Sequence, residues 1–225
     1  GNWTRRNSNG EDDVNGPISL DSCPSGFRLV ATPAEMQGCR QCLDDAEYSF
    51  SGPMDACQPC PAGLVCNGGE HVVPRTDGAE WVRSGDVYLL ESCPAGYFAS
   101  PAGATDVTKQ ECLPCGAGLE CTSAGCLECT PCQAGHYKTS PDSSLCVACP
   151  IDTYLGNSGA DSYDECVACP SDSSTMTLTG RTTVEDCVCR DLFYSVVQDG
   201  VKTCEICPIG ALCADSNVCA LSQPG

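Results

Sequence analysis

The cysteines of this chain fall on a ladder, and the ladder limits the folds open to it more than any other feature. Eight pairs are spaced C-x-x-C, at Cys39/Cys42, Cys57/Cys60, Cys112/Cys115, Cys126/Cys129, Cys129/Cys132, Cys146/Cys149, Cys166/Cys169 and Cys204/Cys207, with a shortened Cys187-Val188-Cys189. From one junction to the next run loops of roughly 14 to 18 residues, and Cys23 to Cys39 and Cys93 to Cys112 open two runs with similar loops. Seven modules therefore share one form.

Within a module the opening Cys is followed by Pro or another small turn residue, then Gly or Asp at the third position, then an aromatic. Examples are Cys93-Pro94-Ala95-Gly96-Tyr97, Cys132-Gln133-Ala134-Gly135-His136-Tyr137 and Cys149-Pro150-Ile151-Asp152-Thr153-Tyr154, and Cys23-Pro24-Ser25-Gly26-Phe27 also fits. Pro and Gly supply a tight turn, the aromatic is expected to lie across the disulfide as a miniature core, and a cluster such as Gly156-Asn157-Ser158-Gly159 turns the chain back. Each module then reads as one irregular β-hairpin.

The simplest pairing closes each loop on itself: Cys23–Cys39, Cys42–Cys57, Cys93–Cys112, Cys132–Cys146, Cys149–Cys166, Cys169–Cys187 and Cys189–Cys204. Three shorter loops, Cys60–Cys66, Cys115–Cys121 and Cys207–Cys213, read as self-closed as well. That leaves Cys126 with Cys129, and Cys219 unpaired within the chain, although a crossed arrangement around Cys115 to Cys129 fits the spacing equally well. With 6% aromatic residues against 23 Gly and 16 Pro, no large aliphatic core is available. A bridge closing about 15 residues stabilises by about 3 kcal/mol through chain entropy, so the bridges replace the core. The expected fold is small and disulfide-rich: an elongated tandem array of short irregular β-hairpin modules with little or no helix.

Roughly one residue in ten is Cys, the level of a disulfide scaffold, and such a chain belongs in an oxidising compartment, secreted or at the cell surface. Zinc knuckles also use C-x-x-C, but not in so even a chain with only two histidines. Acidic residues outnumber basic ones 30 to 11, for a net charge of −19, the wrong sign for nucleic acid. No stretch approaches the roughly 18 apolar residues of a membrane span. Carboxylates at Glu11-Asp12-Asp13, Asp44-Asp45 and Asp164-Glu165 make calcium the one ion to consider, but there is no EF-hand loop, and Ser162 stands where a growth-factor-type calcium signature needs an acid. No cofactor is expected. His71 and His136 lie in no H-E-x-x-H or Ser-His-Asp context, so the chain reads as non-enzymatic.

Residues 1–22 read as a polar linker or tail, with Asn2-Trp3-Thr4 as an N-glycan acceptor at Asn2, and without an initiator Met or signal-type apolar run. Modules occupy 23–66 (two hairpin loops and a short loop), 93–132 (with the Cys-dense segment) and 133–207 (four in tandem), and 207–225 begins a further truncated unit. The Cys-free stretch 67–92 reads as a hairpin, Trp81-Val82-Arg83 and Val87-Tyr88-Leu89-Leu90 flanking Ser84-Gly85-Asp86. Trp81, Arg83 and Tyr88 have the composition of an interface hot spot, with packing between modules as the competing role.

These C-P-x-G-x-[YF] openings and C-x-x-C junctions resemble cysteine-rich repeats of the ephrin-receptor-like and tumour-necrosis-factor-receptor-like (growth-factor-like) type over most of residues 23 to 219. Similar arrays occur in very large extracellular proteins of unicellular eukaryotes. Cys60 to Cys66 with Asn67-Gly68-Gly69 and Gly78-Ala79-Glu80-Trp81 looks like one copy of their composite unit, and Cys207 to Gly225 like a second. Trp81 is displaced from its Gly, and Cys115 to Cys132 is more Cys-dense than that pattern. The resemblance implies an extracellular rod and no single ligand. The expectation is a structural segment of a large extracellular or cell-surface glycoprotein that assembles laterally with itself or other glycoproteins. The alternative is a ligand-binding ectodomain of a receptor or adhesion protein.

Overall fold

A computed structural model of the chain describes residues 1–5, 9–31, 37–50, 56–101, 106–214 and 218–221. Among them are twelve two-stranded antiparallel sheets, no α-helix, and three single 3-10 turns at Val107–Lys109, Tyr163–Glu165 and Val184–Asp186. The fold is the expected one of small, disulfide-stapled hairpins in tandem. Two compact units divide it, Gly1–Leu113 with Ser123–Glu128, and Pro114–Thr122 with Cys129–Gly225.

In the second unit the module rule can be read atom by atom. The third residue after the opening Cys has positive φ whether it is Gly118, Gly135, Asp152, Asp172 or Leu192. Around it the chain closes i to i+3, as from the His136 N–H to the Gln133 carbonyl and from the Ser173 N–H to the Pro170 carbonyl. A positive φ at the third position of such a turn is the type II requirement, which Gly meets without strain and Asp tolerates. The carbonyl of that same residue then accepts the N–H of the next opening Cys: Gly118 from Cys132 (2.9 Å), Gly135 from Cys149 (2.8 Å) and Asp152 from Cys169 (2.9 Å).

This explains the C-x-x-C spacing. The two residues between the cysteines are the return strand of the hairpin: Val147-Ala148 pairs with His136-Tyr137, and Val167-Ala168 with Thr153-Tyr154. One Cys closes the module behind and the other opens the module ahead. At the shortened junction the return strand is Val188-Cys189, paired with Ser173-Ser174, so the opening Cys is itself the second strand residue.

Successive modules are joined by a second recurring set. Gly118 and Gly135 donate to the carbonyls of Lys138 and Leu155, and Gly159 and Gly180 donate back to those of Cys132 and Cys149, all at 2.8 Å. The contact is close enough that a Cβ on Gly135 would stand 2.3 Å from the Gly180 carbonyl oxygen, and one on Gly118 2.4 Å from that of Gly159.

The miniature core differs from expectation. Module aromatics such as Tyr137 and Tyr154 are only half-buried, and Tyr137 packs on Cys149, Leu155 and Ala160 of the following module rather than across its own bridge. In four modules the sixth residue after the opening Cys is sealed: Tyr48, Lys138, Leu155 and Thr175 are all at most 3% exposed.

The connectivity also differs at one place. Cys115 is bridged to Cys129, with a separation of 14 that equals that of Cys132–Cys146, and not to Cys121. This pairing lets Thr130-Pro131 return against Leu119-Glu120, as Val147-Ala148 and Val167-Ala168 do in the next two modules. Cys121 and Cys126 are disulfide-bonded too, which sets aside a Cys126–Cys129 pair. The remaining bridges are Cys23–Cys39, Cys42–Cys57, Cys60–Cys66, Cys93–Cys112, Cys149–Cys166, Cys169–Cys187, Cys189–Cys204 and Cys207–Cys213. Cys219 stands opposite Cys213 in the last hairpin, and its side chain lies outside the described residues.

In the first unit, residues 1–22 hold a hairpin where a linker or tail was expected. Strand Asn2–Arg5 pairs with Ile18–Ser22, and Leu20 is 4% exposed. Its two strands carry few apolar residues, Trp3, Ile18 and Leu20, and the polar sequence between them dominates the composition of the segment.

Candidate functional site

The hairpin Glu80–Ser84/Val87–Ser92 turns at Gly85-Asp86, with Gly85 at positive φ, and aligns Trp81 with Leu90 and Arg83 with Tyr88. It covers the largest aromatic cluster among the described residues. Tyr48, Phe50, Leu64 and Cys66 are buried there, with Cys60, Val72, Trp81 and Tyr88 packed against them. Tyr48, Phe50 and Tyr88 meet with ring centroids 5.0 to 5.5 Å apart, in edge-on and tilted geometries.

Trp81, Arg83 and Tyr88 are thus brought together, but mostly turned inward. The Tyr88 N–H donates to the Tyr48 hydroxyl oxygen (3.0 Å), and the Tyr88 hydroxyl donates to the Glu70 carbonyl (2.9 Å). Burial pushes both phenols above the usual tyrosine range, so both hydroxyls stay protonated at neutral pH. The Arg83 guanidinium lies 3.7 Å from the centre of the Phe50 ring and 3.8 Å from Glu70, and its Nε donates to the Gly85 carbonyl. Trp81 lies over Gly63, where a Cβ would meet its ring at 2.7 Å, and its buried Nε1 has no hydrogen-bond partner. Phe50, which organises Arg83 and Tyr88, was not singled out from sequence. Tyr48 was also missed, although its place six residues after Cys42 is a signal the repeat carries.

The remaining candidates serve turns and bridges. Asn2 is exposed on its strand. His136 is half-buried, with Nδ1 3.3 Å from the Ala134 carbonyl, and His71 is exposed. Among the described residues one group has metal-ligand spacing, Cys42, Glu47 and Cys57, but its two sulfurs are bonded to each other and the Glu47 carboxylate accepts the Leu43 N–H. This donor set does not fit a metal. Of the acidic clusters, Asp13 accepts the Asn15 N–H, and Glu165 accepts the N–H groups of Asp161 and Ser162. Asp152 accepts from the Ser174 hydroxyl and the Thr175 N–H, with Arg190 at 3.2 Å. These groups, the Ser174 hydroxyl first, hold its carboxyl below the usual range.

Residues 120–166 match the family model described as tyrosine-protein kinase ephrin type A/B receptor-like. The matched span contains the whole Cys132–Cys146 and Cys149–Cys166 modules, the part of the chain where the turn, return strand and joint recur most regularly. These modules are similar to cysteine-rich repeats of ephrin-receptor-like type. No curated protein matches the chain. No helix among the described residues is long and apolar enough to cross a membrane. Disulfide density and repeat type favour an extracellular or cell-surface location.

Proposed function

We propose that the segment is a disulfide-stapled spacer within a large extracellular or cell-surface glycoprotein, and that it assembles into a filament or matrix through lateral contacts. The observation that carries this reading is the joint between modules, in which the same backbone hydrogen bonds recur from Gly118 to Gly135 and from Gly159 to Gly180. A joint of this kind fixes each module on its neighbour and makes length and stiffness additive along the chain. A ligand-binding ectodomain would be expected to present an outward aromatic face on one or two modules, whereas Tyr48, Phe50 and Tyr88 pack on one another. The reading is non-enzymatic: the 22 cysteines from Cys23 to Cys213 are bridged, and His136 contacts only the Ala134 carbonyl of its own turn. Given the charge of −19, lateral contacts must be specific or bridged by cations. Cryo-electron microscopy of the native assembly tests this: a repeating filament is expected, and isolated chains each binding a second protein would overturn it in favour of a receptor.

A further inference from the structure

Of the seven tyrosines in this chain, Tyr163 alone is exposed, at 52%, whereas Tyr48 is at 0% and the other five are half-buried. It opens the 3-10 turn Tyr163–Glu165, which neighbouring side chains hold in place. The Ser162 hydroxyl accepts the Asp164 N–H (3.1 Å), and the Glu165 carboxylate accepts the N–H groups of Asp161 and Ser162 (2.9 and 3.2 Å). The Tyr163 ring stands edge-on to Tyr137, with centroids 5.8 Å apart, so it is supported from one side and open to water on the other. The module that holds it, Cys149–Cys166, has its neighbours on both sides, Cys132–Cys146 and Cys169–Cys187.

The surroundings of Tyr163 are of one sign. Asp161 and Asp164, both exposed, and Glu165 lie within two residues of it, and no Lys, Arg or His occurs between Lys138 and Arg181. A second tyrosine has a similar window, Asp44-Asp45-Ala46-Glu47-Tyr48, but the fold seals it, and its hydroxyl oxygen accepts the Tyr88 N–H. Exposure therefore separates two tyrosines that local charge treats alike. An open phenol among carboxylates is the acceptor suited to a transferase with a cationic cleft, of the kind that also binds an anionic donor. A chain bridged from Cys23 to Cys213 matures in an oxidising secretory route, where tyrosine is modified by sulfate.

We propose that Tyr163 is an O-sulfation site, its phenol accepting a sulfuryl group from a nucleotide-linked sulfate. The bond from Tyr163 Oη to sulfur forms as the bond from sulfur to the donor's phosphate oxygen breaks. The nucleotide phosphate leaves, the phenolic proton passes to a base of the transferase, and nothing is oxidised or reduced. Asp161 and Asp164 steer the turn onto the cationic cleft. The proposal goes beyond the spacer reading and does not depend on it, since a receptor ectodomain passing through the same route would carry the same site.

Mass spectrometry of the chain purified from its native source tests the assignment. Trypsin after reduction and alkylation releases Thr139 to Arg181, which holds Tyr154 and Tyr163, and Gln41 to Arg75, which holds Tyr48. The first peptide is expected to carry the mass of one sulfur trioxide, placed on Tyr163 by electron-transfer fragmentation and retained through phosphatase treatment, and the second peptide none. The oxidised chain treated with purified tyrosylprotein sulfotransferase and its donor is expected to label at Tyr163 alone, whereas the reduced and alkylated chain labels at Tyr48 as well. Asp161→Asn combined with Asp164→Asn slows labelling of the oxidised chain by more than about tenfold, the scale of lost electrostatic steering. Tyr163→Phe abolishes it. Mass after alkylation verifies that both variants keep their bridges. A bare Tyr163 in either experiment, a label that phosphatase removes, labelling of Tyr48 in the oxidised chain, or an unchanged rate in the double Asn variant would each overturn the proposal.

Discussion

Glycine at position 135 answers to two constraints that the sequence presents as one. Its φ of +81° is the turn requirement, visible in the repeated C-x-x-[GD] pattern. Its closeness to the Gly180 carbonyl is a packing requirement that no local pattern announces, because the partner comes from the second module onward. The two separate by substitution. Gly200 has φ of +79° with nothing within 4 Å, so Gly200→Ala reports backbone conformation alone, about 1 to 2 kcal/mol, whereas Gly135→Ala adds a backbone clash and costs at least about 2 kcal/mol more. Thermal unfolding of the oxidised variants checks the order, and equal losses would mean that the joint can shift. Asp152 fills the same turn position with a carboxylate held below its usual range, chiefly by the Ser174 hydroxyl and also by the Thr175 N–H and Arg190. A lowered folded pKa stabilises above the ordinary carboxylate range and is lost as pH falls through the lowered value. The unfolding midpoint of Asp152→Asn therefore lies below that of the native chain at pH 7, and the gap closes in acid. A gap that persists undiminished at low pH would assign the role to side-chain shape rather than charge.

At the scale of the element, the legible hairpins were those whose two strands lie close in sequence. Trp81 to Leu90 could be read because two short apolar runs, Trp81-Val82 and Val87 to Leu90, flank a turn at Ser84-Gly85-Asp86. Asn2–Arg5 with Ile18–Ser22 could not, since a long polar loop separates the strands and composition over the whole window reports the loop. The core position escaped for a related reason. The eye falls on the module aromatics, but the residue sealed against the sulfurs is the sixth after the opening Cys, whose identity runs from Tyr48 and Leu155 to Thr175 and Lys138. Lys138 is the extreme case: its ammonium donates to the Cys115 and Asp142 carbonyls at 3.0 and 2.6 Å and lies 3.9 Å from the Asp142 carboxylate. Lys138→Ala removes the stem and both hydrogen bonds and is expected to cost about 2 to 4 kcal/mol. Lys138→Leu recovers part of that loss, because Leu155 fills the corresponding slot one module later. Chemical denaturation with bridges intact measures both, and a Leu variant no better than Ala would mean that the slot is specific to the ammonium.

For the molecule as a whole, the loop-closing bridges were legible because even spacing leaves little choice, and only the Cys-dense stretch, where two pairings fit equally, was resolved by the return strand Thr130-Pro131. What spacing could not convey is how far a disturbance travels. In the second unit each module is tied by hydrogen bonds to the one before and the one after, as Gly135 to Leu155 and Leu155 to Arg181. Stability should then be a sum of modules and joints rather than one cooperative core. Replacing Cys149 and Cys166 by Ser removes a bridge spanning 17 positions. By chain entropy that costs about 3 kcal/mol. The loss is expected to loosen residues 132–187, including the Gly135 and Gly180 N–H groups that define the two flanking joints. The Cys207 N–H on Leu192, a module farther on, and the Tyr88 N–H on Tyr48, in the first unit, should keep their protection from hydrogen exchange. If protection at Cys207 and Tyr88 collapses together with that at Gly135, the chain unfolds as one body, and an additive ladder of modules is the wrong description of what holds it together.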